Sequence, residues 1–110
     1  MTLSKDLVAA SAVPLLLGIL CEGPSYGYAI AKRVREISGD AIQWSEGMLY
    51  PVLHRLAEQG HIESFWQESD TGRRRRYYRV SGKGRTELER QREQWEVVRR
   101  ALDRTWKPER

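Results

Sequence analysis

Four consecutive arginines, Arg73 to Arg76, leave a turn-forming triplet, Asp70-Thr71-Gly72, and run into Tyr77, Tyr78 and Val80. Four adjacent guanidinium groups on a protruding loop repel one another unless a polyanion sits opposite. Double-stranded DNA offers one negative charge per ~1.7 Å of helix axis, so the chemistry open to this run is phosphate binding. The plainer alternative is a solvated charge run. The neighbouring residues favour a shaped element. Gly72 supplies the backbone freedom of a tight hairpin, Asp70 and Thr71 are turn formers, and the tyrosines and valine suit a returning strand.

The elements that must position this hairpin are helical. Within Ser45 to Gln59, Leu49, Val52, Leu53 and Leu56 hold the i, i+3, i+4, i+7 spacing of one buried face, leaving Glu46, Met48, Tyr50, His54 and Arg55 on the opposite one. Ser45 is the expected N-cap and Gly60 the left-handed stop, while Pro51 sits late enough to distort the first turn. Upstream, Leu7, Ala10, Val13, Leu17 and Leu20 recur at helical spacing from Asp6 to Leu20. Pro14 either kinks that helix or starts it. A second helix is expected from Tyr26 to Ile37, with Ser25 as its cap, Ala29, Ile30, Val34 and Ile37 inward, and Lys32, Arg33, Arg35 and Glu36 outward. Ala41 to Gln43 is extended enough for a small strand, and His61 to Gln67 alternates as the strand entering the hairpin. Helix, helix, helix, strand, basic turn, strand is the order of a winged helix-turn-helix, an α+β fold that is mainly α.

After Ser81-Gly82-Lys83-Gly84 a last helix is expected from about Arg85 to Trp106, giving residues 1–84 as the DNA-binding domain and 85–110 as a C-terminal dimerisation helix of one compact unit. Leu88, Trp95 and Leu102 repeat every seven residues, with Val98 and Trp106 on nearby turns. Large apolar side chains on a charged helix need burial, and a second copy of the chain is the simplest partner. The expected dimer interface is Leu7, Leu88, Trp95, Val98, Leu102 and Trp106.

Composition narrows the function further. Fourteen of the nineteen lysines and arginines, but only six of the fifteen acids, lie after residue 70, an asymmetry that points to nucleic acid or another acidic partner. Cys21 is the only cysteine, so no intrachain disulfide forms and a reducing cytoplasm is the expected location. The apolar stretch from Ala12 to Cys21 is too short to span a bilayer and is broken by Pro14 and Gly18, so it reads as a core helix and no membrane is expected. An enzyme has little to stand on. Cys21, His54 and His61 make neither a triad nor a metal site, no glycine-rich phosphate loop precedes a helix, and no cofactor or metal is expected.

Three segments carry a family resemblance: GPSYGYAIAKRVRE (Gly23 to Glu36), SEGMLYPVLHRLAEQGHIESFWQESDTGRRRRYYRVSGKG (Ser45 to Gly84), and the helix around Trp95. Tyr-Gly-Tyr, Leu-Tyr-Pro, Leu-x-x-x-Gly-x-Ile-x-Ser and Arg-x-Tyr-Tyr-Arg-Val-x-x-x-Gly together resemble the PadR family of bacterial transcriptional regulators, in its compact branch with a single C-terminal helix. Met48 and Ser81 depart from it, since a Thr is usual at both places. The resemblance implies a homodimeric repressor that binds an inverted-repeat operator and releases it on binding a small effector. In multidrug-responsive members a Trp matching Trp95 pairs with its symmetry mate and flat aromatic ligands stack between the two. The plainer role for Trp95 is an interface tryptophan without a ligand. Arg92 and Arg99 lie one turn to either side, and a site framed by them should favour neutral or anionic aromatics over cations.

Each candidate for the DNA face has a plainer role beside it. Tyr50 can lay its ring on a sugar or thymine methyl, or simply pack. Ser45 caps a helix whose free amides also suit a phosphate. Glu46 can accept from a cytosine amino group or favour the helix dipole. Met48 shares their face. His54 and Arg55 lie further along it, His54 being equally well a surface histidine. Arg73 and Arg74 stand nearest the wing tip, Arg75 and Arg76 begin the strand so that one must turn away, and Lys32 is a lesser phosphate candidate. Tyr26, Tyr28, Trp44 and Trp66 are expected to be packing aromatics. A non-specific architectural DNA binder and a winged-helix protein–protein module are the rival functions.

Overall fold

Helical periodicity, with side-chain caps on the first and third, accounts for the first three helices of the computed structural model, which describes residues 1–107. Helix α1 (Lys5–Cys21) begins where the Leu7 amide donates to Ser4 Oγ at 3.3 Å and runs unbroken through Pro14. Proline removes one intrahelical donor, but the carbonyl it would have reached, on Ala10, lies on the exposed side. Ala12, Leu16, Leu17, Ile19 and Leu20 face the core, whereas Leu7 and Ala10, expected inward, lie outside.

Ser25 does not cap the second helix. With Tyr26 it forms a two-residue strand, β1 (Ser25–Tyr26), and α2 (Gly27–Ile37) starts with no side-chain cap. Ala41 to Gln43 forms no strand, and Ile37 is 46% exposed rather than buried. Helix α3 (Glu46–Glu58) is capped as expected, the Met48 amide donating to Ser45 Oγ at 3.2 Å, and it passes through Pro51. Gly60 then turns the chain with a φ of 78°.

Strands β2 (Ile62–Glu68) and β3 (Arg74–Val80) are antiparallel, and β1 adds to the free side of β3 to give the order β1-β3-β2. The hairpin closes as the Ser69 amide donates to the Arg73 carbonyl at 2.7 Å and the Gly72 amide to the Ser69 carbonyl at 2.9 Å. Gly72 takes the left-handed φ of 82° that this turn demands. The core joins Leu16, Leu17 and Leu20 of α1, Ile30 and Val34 of α2, and Leu49, Leu53 and Leu56 of α3 to Ile62 and Tyr78 of the sheet, with Trp44 closing one side.

Helix α4 (Gly82–Thr105) begins three residues earlier than expected, capped by Ser81. Ser81 Oγ donates to the Gly60 carbonyl at 2.6 Å and accepts from the Gly84 amide at 3.0 Å, and Lys83 Nζ donates to the Gln59 carbonyl at 2.8 Å. These bonds fasten the first turn of α4 to the C-terminal end of α3. A Cβ on Gly84 would stand 2.0 Å from the His61 carbonyl oxygen and 2.8 Å from Val80 Cγ2, so only glycine allows that approach. Gly84→Ala is therefore expected to lower unfolding stability by about 1–3 kcal/mol. Gly82→Ala, whose Cβ meets nothing within 4 Å, should be neutral or slightly stabilising, and urea denaturation of the two variants checks both.

Candidate nucleic-acid interface

An open cleft of about 1090 Å³ lies between α3, the start of α2 and the hairpin. Tyr50, His54, Arg73, Arg74 and Arg75 border it together, joined by Tyr28, Trp66 and Arg76. Tyr50 projects from α3 at 45% exposure, with its hydroxyl against the backbone of Gly27. Tyr78 forms part of the cleft wall. Burial pushes its hydroxyl above the ordinary phenol range, against a smaller opposing effect of Arg76, and nearby Tyr50 adds to the rise. Tyr78 stays protonated and able to donate.

Strand alternation sorts the arginines. Arg74 and Arg76 lie over the Trp66 ring, their guanidinium carbons 5.3 and 5.7 Å from its centroid. Arg75 turns to the other face and covers Tyr26 at 4.5 Å, beside Tyr77. Arg79 on that same face covers Phe65 at 4.7 Å and pairs with Glu63 at 3.3 Å. No carboxylate pairs with Arg73, Arg74, Arg75 or Arg76 among the described residues. The result is a concave, cationic, aromatic-lined surface suited to a phosphate backbone with bases within reach.

The remaining candidates are placed differently. Ser45 and the exposed Glu46 stand at the start of α3, and Arg55 is exposed further along it without bordering the cleft. Met48 is not on the open face; it is half-buried and packs against the core in a groove shared with Leu3 and Val8. Lys32 borders a separate groove with Pro24 and Glu36. His54 lies 3.6 Å from Glu58, a pair that forms only when the imidazole is protonated. Two aromatics expected to pack do not: Tyr28 is 68% exposed and Trp66 56%. Arg76 and Trp66 were the cleft residues a sequence reading could have paired, since alternation puts Arg74 and Arg76 on one face and a hairpin register sets Trp66 opposite. Nothing local marked Tyr28.

A second groove, about 520 Å³ and mainly apolar, runs between α1 and α4 and is lined by Ser11, Pro14, Leu15, Gly18, Cys21, Leu88, Arg92 and Trp95. Beyond it Trp95, Val98, Leu102 and Trp106 remain exposed along α4, while Leu88 packs against the core. The two arginines expected to frame Trp95 are both paired within α4. Arg99 is bonded to Glu96 and to Asp103, and Arg92 donates to Glu89 at 2.8 Å. These exposed pairs, three and four residues apart on one helix, lessen the positive field beside Trp95 without removing it. Nearer the start of α4, hydrogen bonds from Arg90 and then Gln91 hold the Glu87 carboxyl down at about 2. Glu87 therefore stays charged through the ordinary carboxylate range, so its contribution to α4 is full above that range and is lost as pH falls toward about 2. No metal-binding cluster occurs among the described residues, and no described helix is long and apolar enough to cross a membrane.

A methyl on Gly27 would lie 2.5 Å from Tyr50 Oη and 3.0 Å from Cζ, so this glycine makes room for the tyrosine. Gly27→Ala is expected to destabilise by about 1 kcal/mol, with Tyr50→Phe in the same chain recovering part of the loss. A double-mutant cycle by urea unfolding measures that coupling.

Known proteins share this shape and sequence pattern. The profile of the Transcriptional regulator PadR-like family matches residues 16–90. A transcriptional regulator from Clostridium thermocellum is 30% identical, with a TM-score of 0.86 over 96% of this chain and 100% of that one. A PadR-like transcriptional regulator from Bacillus cereus is 25% identical, with a TM-score of 0.84 over 96% of this chain and 100% of that one. An uncharacterized Lysinibacillus sphaericus protein is 26% identical over 90% of this chain and 91% of its own length.

Proposed function

Because this chain belongs to the PadR-like family of transcriptional regulators, we propose that it is a cytoplasmic repressor that binds an inverted-repeat operator as a homodimer. In this reading α3 enters the major groove, with Tyr50 and the residues around its N-terminus nearest the bases, and the hairpin grips the flanking backbone. The single observation that carries it is the cleft in which Tyr50 meets four arginines that pair with no carboxylate among the described residues. The two copies join through α4, burying the stripe of Trp95, Val98, Leu102 and Trp106 that one chain leaves exposed. A C2 dimer then presents two α3 helices to two half-sites, which is why the operator is an inverted repeat. Release follows when a small, flat, neutral aromatic molecule enters the groove between α1 and α4 and stacks on Trp95. Pairing of Arg92 with Glu89 and of Arg99 with Glu96 and Asp103 weakens the preference of the site for an anion.

Anisotropy of labelled DNA from upstream of the gene, with random competitor across a salt series, tests the DNA reading. Three wing arginines per protomer at the backbone give a log–log slope of roughly −5, at about 0.9 per phosphate, with binding that saturates at two chains per site. Equal affinity for random DNA supports an architectural binder instead, and absence of binding at low salt supports a protein–protein module. Effector release has its own test. A flat neutral aromatic is expected to quench tryptophan emission and weaken operator binding together, and Trp95→Phe should shift both titrations to higher ligand concentration.

A further inference from the structure

Trp66 has no packing reason to stand where it does: a large apolar ring on the hairpin, more than half exposed, at the rim of a polar cleft. Its neighbours supply a reason. Arg76 is its direct cross-strand partner on β3 and Arg74 its diagonal one. Both guanidiniums lie over its ring, and Arg76 Nη2 is held in addition by Ser64 Oγ at 2.9 Å. Two like charges gathered on one ring repel each other, so the arrangement is most favourable with an anion between or across them.

We infer that Trp66 is a positioning residue that holds Arg74 and Arg76 as a paired clamp for the backbone phosphates of DNA. The inference rests on the reading that the hairpin meets DNA, and it names how the hairpin does so. An arginine loses rotamer freedom when it closes on a phosphate, and a ring that already carries the guanidinium removes part of that loss before binding. The ring's negative face attracts each cation without itself consuming hydrogen-bond donors, so those not engaged by Ser64 stay free for phosphate oxygens. Trp66 therefore acts on affinity through the two arginines and contributes no sequence choice.

The test is a set of full-length variants titrated with the labelled upstream DNA across salt: Trp66→Leu, Trp66→Phe, Arg74→Ala with Arg76→Ala, and that pair combined with Trp66→Leu. Thermal midpoints near the wild-type value are expected throughout, because Trp66 is outside the core. Trp66→Leu is expected to weaken binding roughly five- to thirtyfold, from two exposed cation–π contacts, and to flatten the salt slope, while Trp66→Phe restores most of both. A purely structural role would lower the thermal midpoint or the active fraction and leave the slope alone, which counts against the clamp. In the background lacking both arginines, Trp66→Leu should add nothing. A further loss there means that the ring meets DNA itself, and wild-type binding by Trp66→Leu means that it does not matter; either overturns the inference alone. Wild-type binding by the Arg74→Ala, Arg76→Ala chain overturns the hairpin reading as well.

Discussion

The two-residue period of β3 is the constraint on which the rest of the molecule depends. Its sequence, RRRYYRV, places Tyr78 and Val80 toward the core and Tyr77 between Tyr26 and Phe65 on the opposite face. Those aromatic positions are dictated by packing, and the arginines two residues upstream inherit their directions from them. Arg74 and Arg76 must share the side of Tyr78, and Arg75 the side of Tyr77. A one-residue slip in the pairing with β2 would bring Tyr78 to the surface and send the guanidiniums to the wrong faces together. β1 and β2 flank β3 on both sides, so neither hydrogen-bonding edge is free to slip.

Elements with strong local signals were legible in the sequence. The buried stripe of α3, its Ser45 cap, the left-handed Gly60 and the Gly72 turn all follow from chemistry within a few residues. What failed depended on distant partners. β1 has only Ser25 and Tyr26 and exists because the second edge of β3 lay open to it, so no local pattern announced it. Ala41 to Gln43 pairs with no strand and stays irregular. Trp66 looked like a packing residue because composition reports hydrophobicity but not which guanidiniums wait across a hairpin. The pairing of Arg99 is a different case, since Glu96 and Asp103 stand at helical spacing that the sequence itself displays.

The cleft and the apolar groove are built on opposite principles. In the cleft, aromatic rings keep company with Arg73 to Arg76, which pair with no carboxylate among the described residues, while Arg79 on the outer face of the hairpin is paired with Glu63. Along α4 three of the six arginines, Arg90, Arg92 and Arg99, have a carboxylate a turn away, and an apolar stripe runs beside these pairs. Cationic charge is thus left unpaired where a polyanion would lie and is partly offset where apolar surfaces would meet.

The seam formed by Ser81, Lys83 and Gly84 has a mechanical consequence. Since α4 follows β3 after a single residue and is bonded to the end of α3, the chain has no slack at that point, and hairpin and long helix form one stiff bracket. Twenty-four helical residues make an arm of roughly 36 Å. Tilting such an arm by about ten degrees sweeps its far end through roughly 6 Å, more than one helical turn's rise. Two brackets joined along their arms would therefore behave as calipers, whose jaw width depends on a small angle at the hinge and hardly at all on any loop.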